Sequence, residues 1–255
     1  MAKVLRAFFA SLFLLVIGCS GCSGLVGPSV TPVEAKDAVD NVVTSTVVLL
    51  RKNGPNSWGK VVCTAEFISD HELLTADHCT VPAAFDEVDT LLSDMGIAEE
   101  PDATNHEVRF VTYDDLLEAG KLNKAHQVAG KIALRDADND VALITTTEFA
   151  PSYVPLRSTP GVLGEKVFAV GHPGGLFYTL HRGIVSFPKR KFDGVITVQV
   201  DMGLFGGNSG GGLYDDFGRL IGVCSMGVEG TTIGFFVHLD PITDLVEKYH
   251  ESLKK

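Results

Sequence analysis

Basic residues are scarce in this sequence. Its 255 residues hold 21 Lys and Arg against 32 Asp and Glu, a formal net charge of −11. The one basic run is Lys189-Arg190-Lys191. So acidic a chain repels phosphate backbones, which excludes nucleic acid as the main partner. Metal-binding spacings are missing as well. There is no C-x-x-C…C-x-x-C arrangement and no H-E-x-x-H, so neither a zinc site nor any other cofactor is expected. Asp136-Ala137-Asp138-Asn139-Asp140 mimics the start of a calcium loop, but Val141 stands where that loop requires Gly and Thr147 where it requires Glu. With 45% hydrophobic, 8% aromatic and 21% charged residues, disorder, collagen and coiled coil are excluded too.

The apolar run at the N-terminus is short. Ala7 to Gly18 is 12 residues, interrupted by Ser11 and preceded by Lys3 and Arg6. That is too little to span a bilayer and reads as a secretory signal over residues 1–18. Val16-Ile17-Gly18-Cys19 resembles a bacterial lipobox, in which the cysteine is lipidated. An ordinary cleaved signal with Cys19 incidental is the alternative, though no A-x-A-like site competes. Residues 19–36 then form a tether, with Gly, Ser and Pro concentrated between Ser23 and Pro32. The expectation is an exported lipoprotein held by its acyl chains at the periplasmic or extracytoplasmic face of a cell-envelope membrane.

Five cysteines are present, at 19, 22, 63, 79 and 224. Cys63 and Cys79 flank one compact segment 16 apart and would meet an oxidising compartment after export. Closing that loop stabilises by roughly 3 kcal/mol in the chain-entropy picture. Cys224 sits in the apolar run LIGVCSM and reads as a buried small hydrophobe.

Short runs rich in Val, Ile, Thr and Phe alternate with turn residues from Val42–Leu50 through Val61–Ile68, Val108–Thr112, Gln127–Leu134 and Val141–Thr147. They continue through Lys166–Val170, Tyr178–Phe187, Val195–Val200, Leu220–Met226 and Gly234–Val237. This predicts an all-β barrel or sandwich. Two stretches differ. Residues 80–106 carry seven acids and no Lys or Arg, the mark of a solvated insertion, with a short helical piece at Leu91 and Leu92. Asp240-Pro241 reads as a helix start, and Ile242, Leu245, Val246 and Tyr249 recur at helical spacing, predicting a helix over 241–253 with one face on the β body.

Three segments carry candidate chemistry: Thr75-Ala76-Asp77-His78-Cys79, Asp140-Val141-Ala142-Leu143-Ile144 and Gly207-Asn208-Ser209-Gly210-Gly211. A serine hydroxyl is a weak nucleophile near neutral pH. It needs a base within hydrogen-bond reach, and the base needs a carboxylate to orient it. His78, Asp140 and Ser209 supply those residue types, with Asp136 and Asp138 as rivals for the acid. Glycines beside Ser209 suit an oxyanion hole built from backbone N–H groups. The segment also satisfies G-x-S-x-G, the nucleophile elbow of α/β-hydrolases. That fold needs a helix after the serine, whereas Leu213–Leu220 reads as a hairpin and only 46 residues follow the serine.

Taken together, these segments resemble the chymotrypsin-like serine proteases. TADHC is similar to that family's TAAHC, DVALI to its aspartate segment, and Cys63 with Cys79 to the disulfide bracing the histidine. Residues 167–186, VFAVGHPGGLFYTLHRGIVS, and the segment GGNSGGGL resemble the HtrA/Deg branch. The resemblance implies two perpendicular six-stranded barrels, over 37–152 and 153–255, with the site in the cleft between them. It makes His78 the general base, Asp140 its orienter and Ser209 the nucleophile, with the Gly207 and Ser209 N–H groups as oxyanion hole. It places the primary specificity pocket at Gly203, Ser225, Met226, Gly227 and Gly234, and an uncharged pocket for small to medium apolar side chains follows, unless Asp201 shares the face of Gly203. Protein or peptide substrates are the implied partners. Some positions depart from the pattern. Asp77 sets an extra carboxylate beside the histidine, Gly206 and Gly212 replace prolines flanking the serine, and no PDZ-like segment follows. The implied function is a serine endopeptidase working through an acyl-enzyme; the alternative is a non-catalytic module binding peptides or partner proteins in the same cleft.

Overall fold

In the computed structural model, described over residues 32–54, 57–81 and 107–255, two closed antiparallel barrels of six strands each follow one another along the chain. The first comprises β1 (Thr46–Gly54), β2 (Ser57–Phe67), β3 (Glu72–Thr75), β4 (Glu107–Val111), β5 (Val128–Asp136) and β6 (Val141–Thr145), joined in the order β1-β2-β3-β6-β5-β4. The second comprises β7 (Lys166–Gly171), β8 (Thr179–Phe192), β9 (Val195–Asp201), β10 (Gly212–Tyr214), β11 (Leu220–Gly227) and β12 (Ile233–His238), in the order β10-β11-β12-β9-β8-β7. The lipobox, Cys19, most of the expected tether and nearly all of the acidic insertion lie outside the described residues.

The two-residue period of a strand explains how the barrels join. On β6, Ile144 points into the first barrel's core with Leu73, Phe67 and Phe110, while Val141 and Leu143 point the other way. On β7, Val167 and Ala169 face the second barrel's interior, and Phe168 and Val170 face out. These outward sets meet with Leu74, Tyr214, Val223 and Val237 in a third cluster between the barrels. Fully burying each such side chain is worth about 1.5–3 kcal/mol, so the barrels are held as one body. A helix α3 (Leu239–Ser252) seals this cluster with Ile242 and Leu245, and Val246 and Tyr249 pack beside them, as the spacing predicts. Its cap is His238, whose Nδ1 accepts the Asp240 N–H at 3.1 Å. The helix thus starts two residues before the expected position, and the Asp240 carboxylate is used instead to pair Lys189 at 2.6 Å.

The run Val42–Leu50, expected as a strand, is divided. A helix α1 (Pro32–Ser45) takes its first residues and the end of the expected tether. Val42 is buried in the inter-barrel cluster and Val39 and Val43 pack against it, a helical i, i+3, i+4 set. The Thr46 hydroxyl donates to the Val42 carbonyl at 2.7 Å, occupying a terminal acceptor as the chain turns into β1. A second short helix, α2 (Tyr113–Ala119), starts with Thr112 accepting the Asp115 N–H and ends on Gly120 at φ 65°. Among the described residues no helix is long and apolar enough to cross a membrane.

Candidate active site

His78 sits on a tight 3-10 turn, Asp77–Cys79, at the end of β3. The turn is tied to β2 by the Cys63–Cys79 disulfide. Cys63, Cys79 and His78 lie with their side-chain donor atoms within 4.8 Å of one another, but the two sulfurs are bonded together and hold no metal. Asp140 closes the β5–β6 turn with a positive φ of 52°, a conformation Asp tolerates better than most residues. Its rival Asp136 braces that turn, accepting the Asn139 N–H at 3.1 Å and side-chain amide at 2.8 Å. The other rival, Asp138, is exposed.

The Asp140 carboxylate meets His78 twice. His78 Nδ1 lies 2.9 and 3.0 Å from the two Asp140 oxygens, and the His78 backbone N–H donates to Oδ1 at 3.0 Å. From the second barrel, the Ser225 hydroxyl donates to Oδ2 at 2.5 Å. Burial pushes the Asp140 carboxyl up, but the hydrogen bonds and charge of His78, with the Ser225 hydroxyl, outweigh it and hold the group below its ordinary value. Ser225, expected as a pocket wall, thus also anchors the acid. A fixed carboxylate on Nδ1 sets the imidazole tautomer and leaves Nε2 as the acceptor.

Ser209 is delivered to this turn by the loop between β9 and β10. Its carbonyl accepts the Thr64 N–H at 2.8 Å and touches Cys79 Sγ at 3.6 Å, a plain contact because a disulfide sulfur has no proton. The loop is held at several further points. Gly174 N–H donates to the Gly206 carbonyl at 2.8 Å, Thr64 Oγ1 to the Gly207 carbonyl at 2.8 Å, and Gly210 N–H to the Cys224 carbonyl at 2.7 Å. The loop from Gly206 to Gly210 is thus tied to both barrels, and at Gly212 a Cβ would stand 2.2 Å from the Tyr214 hydroxyl oxygen. Neither Gly207 N–H nor Ser209 N–H donates to another described residue, so two backbone donors remain open beside the serine.

A cavity of about 410 Å³ opens next to Ser209, between residues 204–206 and β11 with the turn after it. Ser225, Met226 and Gly227 line it as expected. Gly203 and Gly234 do not. Leu204 packs on Gly234 and Gly227: a Cβ on Gly234 would meet Leu204 Cδ1 at 2.6 Å, and one on Gly227 would meet Leu204 Cβ at 3.0 Å. Two glycine positions thus leave room for one leucine, which adds an apolar side chain to the cavity wall. Asp201 is exposed and pairs with Ile184 and Ile233 across neighbouring strands, away from the lining. Among the described residues, the one acidic residue in the lining is Glu229, a position outside the expected pocket.

His172, fully buried behind the loop, uses both ring nitrogens: Nε2 faces the Val47 carbonyl at 3.1 Å and Nδ1 accepts the Tyr178 N–H at 3.1 Å. Burial lowers its pKa to about 4. Between that value and about 6.5 the unfolded chain binds the proton and the folded one does not, so stability falls as pH drops through this window. The expected loss is about 3 kcal/mol by pH 4. Burial lowers His181 and His238 in the same direction. Urea midpoints from pH 4 to 7 should therefore fall with acid, and His172→Gln should flatten the slope by about one proton. An unchanged slope would contradict the assignment.

The model of the trypsin-like peptidase domain matches residues 63–223. Protease Do-like 1 of Arabidopsis thaliana chloroplasts is 31% identical over 132 residues, covering 46% of this chain and 30% of that protein. Serine protease Do-like HtrA of Lactobacillus helveticus is 29% identical over 144 residues, covering 50% of this chain and 34% of that one. The chain spans about a third of the length of these relatives. Among solved structures, a serine endoprotease from Yersinia pestis superposes with a TM-score of 0.60 at 18% identity, covering 88% of this chain and 67% of that one. An HtrA-type protease solved with a tripeptide gives 0.62 at 19% identity, covering 84% and 62%. With the model spanning both the disulfide and the serine loop, the chain belongs to the trypsin-like peptidase domain family.

Proposed function

We propose that this protein is an exported serine endopeptidase that hydrolyses peptide bonds through an acyl-enzyme. The observation that carries the reading is the Asp140 carboxylate on His78 Nδ1, with the Ser209 loop bound against the same turn. With Nδ1–H held by Asp140, His78 Nε2 takes the proton of Ser209 Oγ as the oxygen attacks the scissile carbonyl. The Gly207 and Ser209 N–H groups receive the developing oxyanion. His78 then protonates the leaving amine, and water repeats the sequence on the acyl-enzyme, regenerating Ser209. Export, with lipidation at Cys19 as membrane anchor, belongs to the same proposal; it is supported by the N-terminal sequence and by relatives named as probable periplasmic endoproteases. A fluorophosphonate probe should label Ser209 stoichiometrically, located by mass spectrometry; an inert serine would turn the reading toward a peptide-binding module.

The Leu204 side chain narrows the substrate class. A charged side chain entering among Leu204, Met226 and Val228 would lose its hydration, whereas a small to medium apolar one would not. Hydrolysis of a peptide series varied at the residue donating the scissile carbonyl should favour Ala, Val, Leu and Met over Arg and Lys. Preference for Arg would mean that Glu229, rather than Leu204, governs selection.

A further inference from the structure

Asp77, the extra carboxylate beside the histidine, does not face the imidazole freely. Its two oxygens take a forked pair of hydrogen bonds from Arg135, Nε to Oδ1 at 2.6 Å and Nη2 to Oδ2 at 2.8 Å. The Asp77 side chain is 8% exposed and Arg135 32% exposed. Bidentate guanidinium–carboxylate pairs of this kind are the strong, orienting ones. Asp77 also begins the turn, its carbonyl accepting the Thr80 N–H and hydroxyl at 2.9 and 2.8 Å.

The placement of the partner matters. Arg135 lies on β5 opposite Ala142 of β6, in the same hairpin that presents Asp140 at its turn. Two neighbouring residues of one turn therefore grip two positions of one hairpin: Asp77 to Arg135, and His78 to Asp140. The polarity alternates, with acid on the turn in the first pair and acid on the hairpin in the second.

We infer that Asp77 and Arg135 are positioning residues: their ion pair fixes the turn carrying His78 relative to the hairpin carrying Asp140, and cancels a charge that would otherwise act on the imidazole. The inference rests on the reading of His78 as base. Among the described residues, the charged groups on the elements around His78 are Asp140, Asp136 and Asp138 on the β5–β6 hairpin, Asp77 on its own turn, Arg135 on β5, and Arg51 on β1, whose Nη2 donates to the Val81 carbonyl at 3.4 Å. From β11 come Ser225, bound to Asp140, and the buried Cys224 thiol, which burial pushes up. Glu66 on β2 is buried, and burial holds its carboxyl well above the ordinary range. The disulfide does not titrate. Asp77 and Arg135 are thus the pair whose charges can be unbalanced without touching Asp140.

The test exploits opposite signs. Arg135→Met leaves Asp77 bare and should move the midpoint of the His78 ring signals, followed by NMR, to higher pH by roughly one unit. Asp77→Asn leaves Arg135 bare and should move it lower. The double variant should return toward the parent. Arg135→Lys keeps the charge but loses the fork, so the midpoint should hold while kcat/KM falls several-fold. The acid limb of kcat/KM should follow the NMR midpoints. If both single variants move the midpoint in one direction, or neither moves it, the inference fails. The NMR titration needs no turnover, and Asp77→Asn and Arg135→Lys carry the test if the Met variant does not fold. Opposite NMR shifts in a parent that a fluorophosphonate does not label would instead sink the protease reading and leave the charge pairing intact.

Discussion

Ser209→Ala is expected to lower peptide hydrolysis by about 10⁴- to 10⁶-fold while the protein remains folded. The size follows from the unit the serine belongs to. Without Oγ, the His78–Asp140 pair has no proton to take, and only the open N–H donors and substrate positioning act on the peptide bond. The fold should be indifferent because Ser209 is partly exposed and its hydroxyl bonds no other described residue, so no buried group loses a partner. The interactions that locate the loop are made by its backbone: Ser209 through its carbonyl to Thr64, and Gly210 through its N–H to Cys224. Thermal midpoint and near-ultraviolet circular dichroism should match the parent. Turnover of a peptide substrate within tenfold of the parent would remove Ser209 from the mechanism.

Much of this arrangement was legible in the residues, for reasons that differ by element. β5 announces itself by period-two burial, because one face must be apolar, and β7 by a continuous apolar run, because both of its faces are buried. The α3 helix was readable because Ile242, Leu245, Val246 and Tyr249 carry a full helical stripe. The β3 and β10 strands, of 4 and 3 residues, are too short for any period to register and are fixed by pairing with β6 and β11. The α1 helix was hidden because its stripe, Val39, Val42 and Val43, is β-branched and runs without a break into β1. The α2 helix lies between two runs read as strands, Val108–Thr112 and Gln127–Leu134, and its 7 residues are too few for a helical stripe to register. At the site, His78, Asp140 and Ser209 stand in readable motifs. Arg135, Thr64 and Leu204 do not, since each acts across barrels or hairpins on a residue far away in sequence. Asp77 was visible, but its partner was not, and so its charge read as an influence on His78 rather than as half of an ion pair.

The second large effect concerns Gly207. Its φ of 104° is open to glycine and strained for alanine, and a Cβ there would stand 2.1 Å from the His172 carbonyl oxygen and 2.9 Å from its carbon. Both obstacles are backbone, and His172 is itself held by Val47 and Tyr178, so it is the serine loop that must yield. Any shift strains the hydrogen bonds from Gly174 to the Gly206 carbonyl and from Thr64 to the Gly207 carbonyl. Those two bonds set the peptide planes on either side of the Gly207 Cα, the first of which carries the Gly207 N–H, so that N–H swings away from where the oxyanion forms. Losing one such donor costs about 10²- to 10³-fold in kcat. The neighbouring Gly206 is the control, because its Cβ position meets nothing within 4 Å and its φ is not positive. Gly207→Ala should therefore lose kcat by at least 100-fold, with Gly206→Ala within a few-fold of the parent. Equal, small effects at the two positions would mean that the Gly207 N–H takes no part in stabilising the transition state.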